Sequence, residues 1–420
     1  MTKQFDYDAL VIGAGPAGAS TAATLAKSGR NVLVLEKEKF PRYHIGESLL
    51  PYCYFPLERL GVLDKIKNAG YVNKHSVQFV NVMGKLSAPF YFNEHMDHEA
   101  SRTWQVPRDQ FDQLMLDHAR ELGAKVLEGV AVKDFVTEND ATVGVVIEDA
   151  QKKRTELRAP FTVDASGRNS LAIARNRWRK MDPKLNKASI WTRYKGAKRD
   201  EGLDEGATTV AYVPENGWFW YIPLPDNIVS VGLVAERDYL YRDGRDLDQI
   251  FAREIKSNPW IEDHLSTGER CSEYWATGEY SYRSQYCASD GLVLTGDAFA
   301  FLDPVFSSGV LLALRSGELA GEAIHQALEK NDNSAEQFLP YGEQLILMIE
   351  AMRKLVYAFY DQEFRFKDFL MKYPDLRGDL TDCLIGRLEK DFDPLFAAVS
   401  EFVDLPEALP HGRPLIAAAT

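Results

Sequence analysis

The chain has 420 residues, 45% of them apolar and 26% charged, the proportions of a globular protein long enough for two lobes and an appendage. Its formal net charge of −13 argues against nucleic acid as the main partner, since no basic excess exists to neutralise phosphates. One basic run, Arg175–Lys180, reads as a solvated loop or helix end. Cys53, Cys271, Cys287 and Cys383 form no Cys-x-x-Cys pair, which predicts free thiols in a reducing cytoplasm, with no disulfide framework and no metal site. The polar start, MTKQFDYD, has no apolar signal region, and Asp297, Asp303 and Pro304 interrupt the apolar stretch 292–314. No membrane insertion is expected.

Tyr7–Ile12 reads as a buried parallel strand and Pro16–Ser28 as an alanine-rich helix, with Gly13-Ala14-Gly15-Pro16-Ala17-Gly18 between them. This is a Gly-x-Gly-x-x-Gly in the strand–turn–helix setting that a dinucleotide needs. The first glycine permits the turn, the second lets a pyrophosphate approach the backbone, and the third lets helix and strand pack closely. Gly29 stops the helix, Asn31–Leu35 is the second strand, and Glu36 closes it where a ribose hydroxyl is usually held, with Lys37 beside it.

Phe40–Leu50, FPRYHIGESLL, has a turn at Pro41, followed by Gly46-Glu47-Ser48 at the expected start of a further helix, with N–H groups turned toward a ligand. Lys74 lies in Gly70–Phe79, and Pro107-Arg108-Asp109-Gln110-Phe111-Asp112 reads as a helix start. Val163-Asp164-Ala165-Ser166-Gly167-Arg168 is a central Asp-containing turn, and Gly217–Pro223 spells GWFWYIP. Trp218 and Trp220, at period two, share one strand face and are either core aromatics or part of a site. Late in the chain, Leu292–Thr295 is followed by Gly296-Asp297, by Ser307-Ser308-Gly309, and by a helix from Val310. That turn either offers backbone N–H groups to an anion or supplies an ordinary serine cap, and both can hold.

Taken together, the Gly13–Gly18 fingerprint, the central Asp164 turn and the late Gly296-Asp297 resemble the flavoprotein monooxygenase superfamily. FPRYHIGES, W-x-W-x-I-P and the position of Lys74 resemble its flavin-dependent halogenases, across most of residues 1–315. The resemblance implies an α/β fold. A Rossmann-like FAD-binding lobe of the p-hydroxybenzoate-hydroxylase type would be built from 1–70, 106–170 and 286–330. A mainly antiparallel β-sheet substrate lobe would come from 71–105 and 171–285, and a helical C-terminal appendage from 331–420.

It further implies FAD held by Gly13, Gly15, Pro16, Ala17, Gly18, Glu36, Lys37, Arg42, Ser48, Arg108, Asp164, Gly296, Asp297, Gly309 and Val310. Chloride or bromide would bind at Ser308 and Gly309. Hypohalous acid would pass to Lys74, while Trp218, Trp220, Ile222 and Pro223 keep the substrate off the flavin. A separate NAD(P)H-flavin reductase would supply the electrons. Tryptophan-specific members have an acidic residue where this chain has Phe306, so the expected substrate is a phenol, pyrrole or similar ring, free or tethered to a carrier protein. The rivals are a flavin hydroxylase and a geranylgeranyl-reductase-like dehydrogenase, which share the three cofactor segments.

In the middle region, β-like runs (Val77–Val82, Phe90–Phe92, Val210–Val213, Trp218–Pro223, Val229–Val234) alternate with turns. After Ala335, Leu345, Ile349, Met352, Val356 and Phe359 form a helical stripe. The aromatic segment Tyr357–Phe369 either covers the pocket mouth or serves as a packing or dimer surface.

Overall fold

The computed structural model describes residues 5–215, 217–278, 281–361 and 364–416. Asn216, in the expected Pro-Glu-Asn-Gly turn, and Gln362-Glu363, in the aromatic segment, lie outside them.

The fully buried run Ala9–Ile12 is the centre of a five-stranded parallel sheet. On one side it pairs with Val32–Glu36 and then Lys125–Glu128; on the other with Phe161–Asp164 and then Leu292–Leu294. Ala288–Ser289 adds an antiparallel edge. Helix Pro16–Lys27, with proline in its first turn, packs against the long helix Gly309–Lys330. At Gly317 a β-carbon would stand 2.3 Å from the Ala17 carbonyl oxygen, so the helices touch backbone to backbone. This contact brings the two distant halves of the chain together at the carboxyl ends of the strands, the usual ligand edge of such a sheet.

A second, larger sheet runs Glu269–Arg270, Lys187–Lys195, Ile228–Glu236, Gly217–Leu224, Thr208–Val213, Ser76–Val80, Phe90–Tyr91, with Trp275–Thr277 also pairing to Lys187–Lys195. It is antiparallel except where Thr208–Val213 meets Ser76–Val80. Strand parity divides its centre. Trp218, Trp220, Ile222 and Leu224 belong to the main core shared with the parallel-sheet lobe and the C-terminal helices. Phe219 and Tyr221 face a separate core under helices Leu247–Ile255 and Pro259–Leu265. Helix Leu339–Tyr360 follows the predicted stripe, with Leu345, Ile349, Met352, Val356 and Phe359 all buried.

One local expectation fails. Gly46-Glu47-Ser48 does not start a helix: Leu49 N–H donates to the Trp104 carbonyl and Val106 N–H to the Glu47 carbonyl, at 3.0 and 2.7 Å. The segment is an extended bridge to Gln105, and helical structure waits until Pro51, a residue suited to a first turn.

Candidate active site

At the fingerprint, Gly13 and Gly18 meet backbone. A β-carbon at Gly18 would lie 2.0 Å from the Gly13 carbonyl oxygen, and one at Gly13 2.5 Å from that of Ala165. At Gly15 only the Arg42 guanidinium, at 3.4 Å, comes within 4 Å, and at Gly309 nothing does. Both helices therefore open at a bare glycine, and neither N-terminus has a side-chain cap, a pair of anion-receptive ends. Ser308 is buried without capping, so the ordinary-cap reading of the serine turn is not realised. Ser307 is left-handed (φ 56°) and Ser308 right-handed (φ −78°), the backbone alternation of an anion nest.

Around these ends, Glu36 accepts from Ala14 N–H at 2.8 Å and Glu38 N–H at 2.9 Å, which ties the fingerprint to the second strand. Arg108 and Arg42 share the buried Asp112, and Arg108 also donates to the carbonyls of Ile45 and Gly46. Asp164 gives both oxygens to its own loop, accepting from Ser166 and Ala172 N–H at 3.0 and 2.6 Å. Lys37 is half exposed, 3.7 Å from Glu38. Pro16 and Ala17 are buried in the first turn, and Val310 lies under the far helix end.

Asp297, in the turn Gly296–Ala298, has no side-chain hydrogen-bond partner among the described residues. Enclosure raises its carboxyl to about 6, opposed by Arg168 and Arg108. Two open glycine-led helix ends, a buried arginine pair and an unpartnered carboxylate suit a pyrophosphate and a polyhydroxyl chain, so these residues fit FAD. Two surface hollows of about 440 and 530 Å³, one along helix Arg108–Glu121 and one beside Phe5–Asp8, involve none of them.

Lys74 ends the short strand Val72–Lys74, paired with Thr103–Gln105, and is fully buried. Its Nζ donates to Ser48 Oγ at 2.8 Å and to the Leu49 carbonyl at 3.2 Å. Burial lowers its pKa from 10.5 to about 7, opposed by the Cys53 thiol. Ser48 continues the segment held by Arg108, so a single stretch of chain, Ile45–Leu49, reaches from the cofactor cleft to the lysine.

Trp218 and Trp220 lie side by side, ring centroids 6.2 Å apart. Trp220 lies flat over Gly232, where a β-carbon would be 2.1 Å from the ring, and its Nε1 donates to Ser230. Trp218 Nε1 donates to Tyr360 Oη at 2.7 Å, and Tyr360 donates to Asp303 at 2.8 Å, just before the serine turn. Ile222 shares their face. Pro223 does not: strand parity turns it to the opposite side with Phe219 and Tyr221, so it is removed from the shielding group.

Sequence reading missed Gln105 and Thr208 behind Ser48, and Asp303 and Tyr360 behind Trp218. It also missed Trp191 and Trp275, whose rings extend the tryptophan row to Tyr43. The even spacing of Asp303 and Phe301 or of Thr208 and Val210 carried no chemical signal; only pairing across distant strands brings these groups together.

The fold and cleft define an FAD-dependent oxidoreductase. The family model described as tryptophan halogenase matches residues 8–99 and 82–371. The chain is 33% identical to the 1H-pyrrole-2-carbonyl-[peptidyl-carrier protein] chlorinase of Pseudomonas fluorescens, covering 91% of this chain and 89% of that one. It is 31% identical to the corresponding brominase of Pseudoalteromonas luteoviolacea, covering 92% and 93%. The solved structure of the flavin-dependent brominase Bmp2 superposes with a TM-score of 0.85 at 28% identity, over 94% of this chain and 98% of that one. The chain belongs to the tryptophan halogenase family. It is a flavin-dependent halogenase, with FAD as cofactor and halide as co-substrate. Among the described residues no helix is long and apolar enough to cross a membrane.

Proposed function

We propose that the chain halogenates an electron-rich ring, a phenol or pyrrole, free or tethered to a carrier protein, with Lys74 relaying the halogen. The observation that carries this is a buried lysine with a strongly lowered pKa, joined by Ser48 to the segment that borders the cofactor cleft. The chlorinase and brominase relatives, both named for a carrier-bound pyrrole, support the substrate class.

Bound FAD, once reduced and exposed to oxygen, supplies the oxidising equivalents that convert halide to hypohalous acid. The N-terminus of helix Pro16–Lys27 receives the pyrophosphate. Glu36 and Asp297 accept from ribose and ribityl hydroxyls, and Arg42 and Arg108 set the positive edge of the cleft. Lys37, being exposed, acts by charge alone, and Asp164 acts by shaping the loop that backs Gly13. The nest at Ser308 and Gly309 holds the halide through backbone N–H groups. Trp218, Trp220 and Ile222 fill the space between cleft and substrate, so a small oxidant travels and the ring stays away from the flavin. At Lys74 the amine takes the halogen and presents it to the aromatic carbon, which then loses a proton.

We place the cofactor lobe at 1–70, 106–170 and 286–330, the substrate lobe at 71–105 and 171–285, and the helical appendage at 331–420. The enzyme works in the cytoplasm beside a separate NAD(P)H-flavin reductase. The test is product analysis by mass spectrometry with reductase, NADH, FAD, oxygen, bromide or chloride, and a panel of phenols and free or carrier-bound pyrroles. Halogenated product that requires both halide and reductase is expected. Hydroxylated or desaturated product formed equally without halide would overturn the reading.

A further inference from the structure

Two consecutive residues at the end of helix Leu339–Tyr360 grip the turn that precedes Ser307. The Phe359 ring meets Phe306 edge-on, with 5.7 Å between centroids, and the Tyr360 hydroxyl donates to Asp303 at 2.8 Å. Asp303 caps the turn Pro304–Phe306 and Phe306 ends it, so both of its ends are held. The same two rings rest on the large sheet. Phe359 stacks on Tyr212 at 5.2 Å, and Tyr360 accepts from the Trp218 indole at 2.7 Å. Tyr212 and Trp218 are direct partners across paired strands. One helix end therefore spans the tryptophan strand and the serine turn.

The groups at either end set the direction of these bonds. An indole N–H can only donate, so the phenol oxygen accepts it and sends its own O–H to the carboxylate. Asp303 uses its other oxygen to accept from Val305 N–H at 3.2 Å, and its N–H donates to Ser281 Oγ at 3.0 Å. Ser307 N–H then closes on the Pro304 carbonyl at 2.8 Å. Ser307 itself is left-handed, with φ 56°. A residue with a β-carbon keeps that conformation only where its surroundings impose it, and the anchored turn immediately before it does so. Burial raises the Asp303 carboxyl to about 6, opposed by the bonds from Tyr360 and Val305 and by Lys187. Lys187, paired with Glu236, also lies 4.1 Å from the Tyr360 ring centroid.

We propose that Tyr360 is a positioning residue for halide capture. By holding Asp303 it keeps the Ser307–Gly309 backbone in its anion-receptive shape, and by holding Trp218 it ties that turn to the shielding ring. The inference rests on the halide role proposed above for Ser308 and Gly309. Removing the hydroxyl alone leaves the aromatic packing in place. It takes a donor from a buried carboxylate and an acceptor from the indole.

The experiment compares FAD-loaded wild type, Tyr360→Phe and Leu345→Ala. The last opens a cavity in the same helix, about four turns from Tyr360. Chloride binding is read from ³⁵Cl NMR line broadening in competition with bromide, alongside KM for bromide and kcat for halogenation. The indole N–H resonances of [¹⁵N]tryptophan-labelled protein are recorded in parallel, that of Trp218 being assigned by its absence in Trp218→Phe. In Tyr360→Phe, chloride binding weakens and the bromide KM rises, each about tenfold, the scale of one hydrogen bond to a charged group. The kcat at saturating bromide is unchanged, and the Trp218 resonance moves upfield. Leu345→Ala lowers thermal stability and changes none of these.

Chloride binding and bromide KM in Tyr360→Phe that match the wild type's would overturn the inference. So would an unmoved Trp218 resonance, or an equal loss of halide binding in Leu345→Ala. Chloride binding that weakens in Tyr360→Phe, with no halogenated product from any of the three proteins, would instead sink the proposed function and leave the positioning role standing.

Discussion

At the residue scale the decisive group is the fully buried Lys74. Its folded pKa of about 7 lies below the ordinary 10.5, so the amine is uncharged above about pH 7 and becomes protonated as pH falls through it. A reaction that needs the free amine should therefore lose rate below pH 7, with the limb absent from flavin reoxidation. Lys74→Arg, permanently charged, should halogenate at no pH.

The same shift has a stability consequence. Between pH 7 and 10.5 the unfolded lysine binds a proton that the folded one does not, so stability rises with pH across that window. Replacing the amine with the similarly sized Lys74→Met should then stabilise the fold at pH 7, by up to about 4 kcal/mol, while abolishing activity; urea unfolding measures it. Asp297 behaves in the opposite sense. Its carboxyl, raised to about 6, loses its charge as pH drops through 6, so FAD affinity should weaken there. In Asp297→Asn the affinity should be lower and flat with pH, as read by flavin fluorescence. The sequence made Lys74 visible through the motif around it, but its burial against Ser48 and the Leu49 carbonyl comes from another stretch.

At the scale of elements, the cofactor cleft depends on two helices meeting closely through glycines and small side chains such as Ser20 and Thr24. Gly317 against Ala17 leaves no room for a β-carbon, so Gly317→Val should push the helices apart. We expect a cost of about 1–3 kcal/mol and an FAD affinity at least tenfold lower, measured by thermal unfolding with and without FAD and by flavin titration. The strand–turn–helix of the fingerprint was readable because every local signal agrees: apolar run, glycines, proline at the first helical turn, acid at the next strand end. Gly46–Ser48 misled because its glycine and polar residues imitate a helix start, while pairing with Trp104–Val106 came from a segment more than fifty residues away. Pro223 misled in a simpler way. It belongs to the motif but not to the face, since side chains alternate along a strand.

At the scale of the molecule, helix Leu339–Tyr360 is fastened to the rest by buried charges. Arg353 donates to Asp182 and Glu350, Tyr357 donates to Asp182, and Arg283 pairs with Glu350. Removing Arg353 leaves the buried Asp182 carboxylate without its cationic partner, while Glu350 keeps Arg283, and Arg353→Leu should cost about 3–5 kcal/mol in a denaturant titration. The apolar stripe announced this helix, but not that its last residue, Tyr360, would hold Trp218 and Asp303 together. That juxtaposition joins the C-terminal region, the tryptophan strand and the serine turn, and it follows from packing alone.

The central claim is that oxidation of halide and transfer of halogen occur at different places, with Lys74 between them. Its most direct test is rapid mixing of the FAD-reduced wild type and Lys74→Ala with oxygen and bromide, monochlorodimedone and an accepted aromatic substrate being present in separate runs. The account predicts equal flavin reoxidation in both proteins and halogenated aromatic product only in the wild type. Equal product from Lys74→Ala would contradict it.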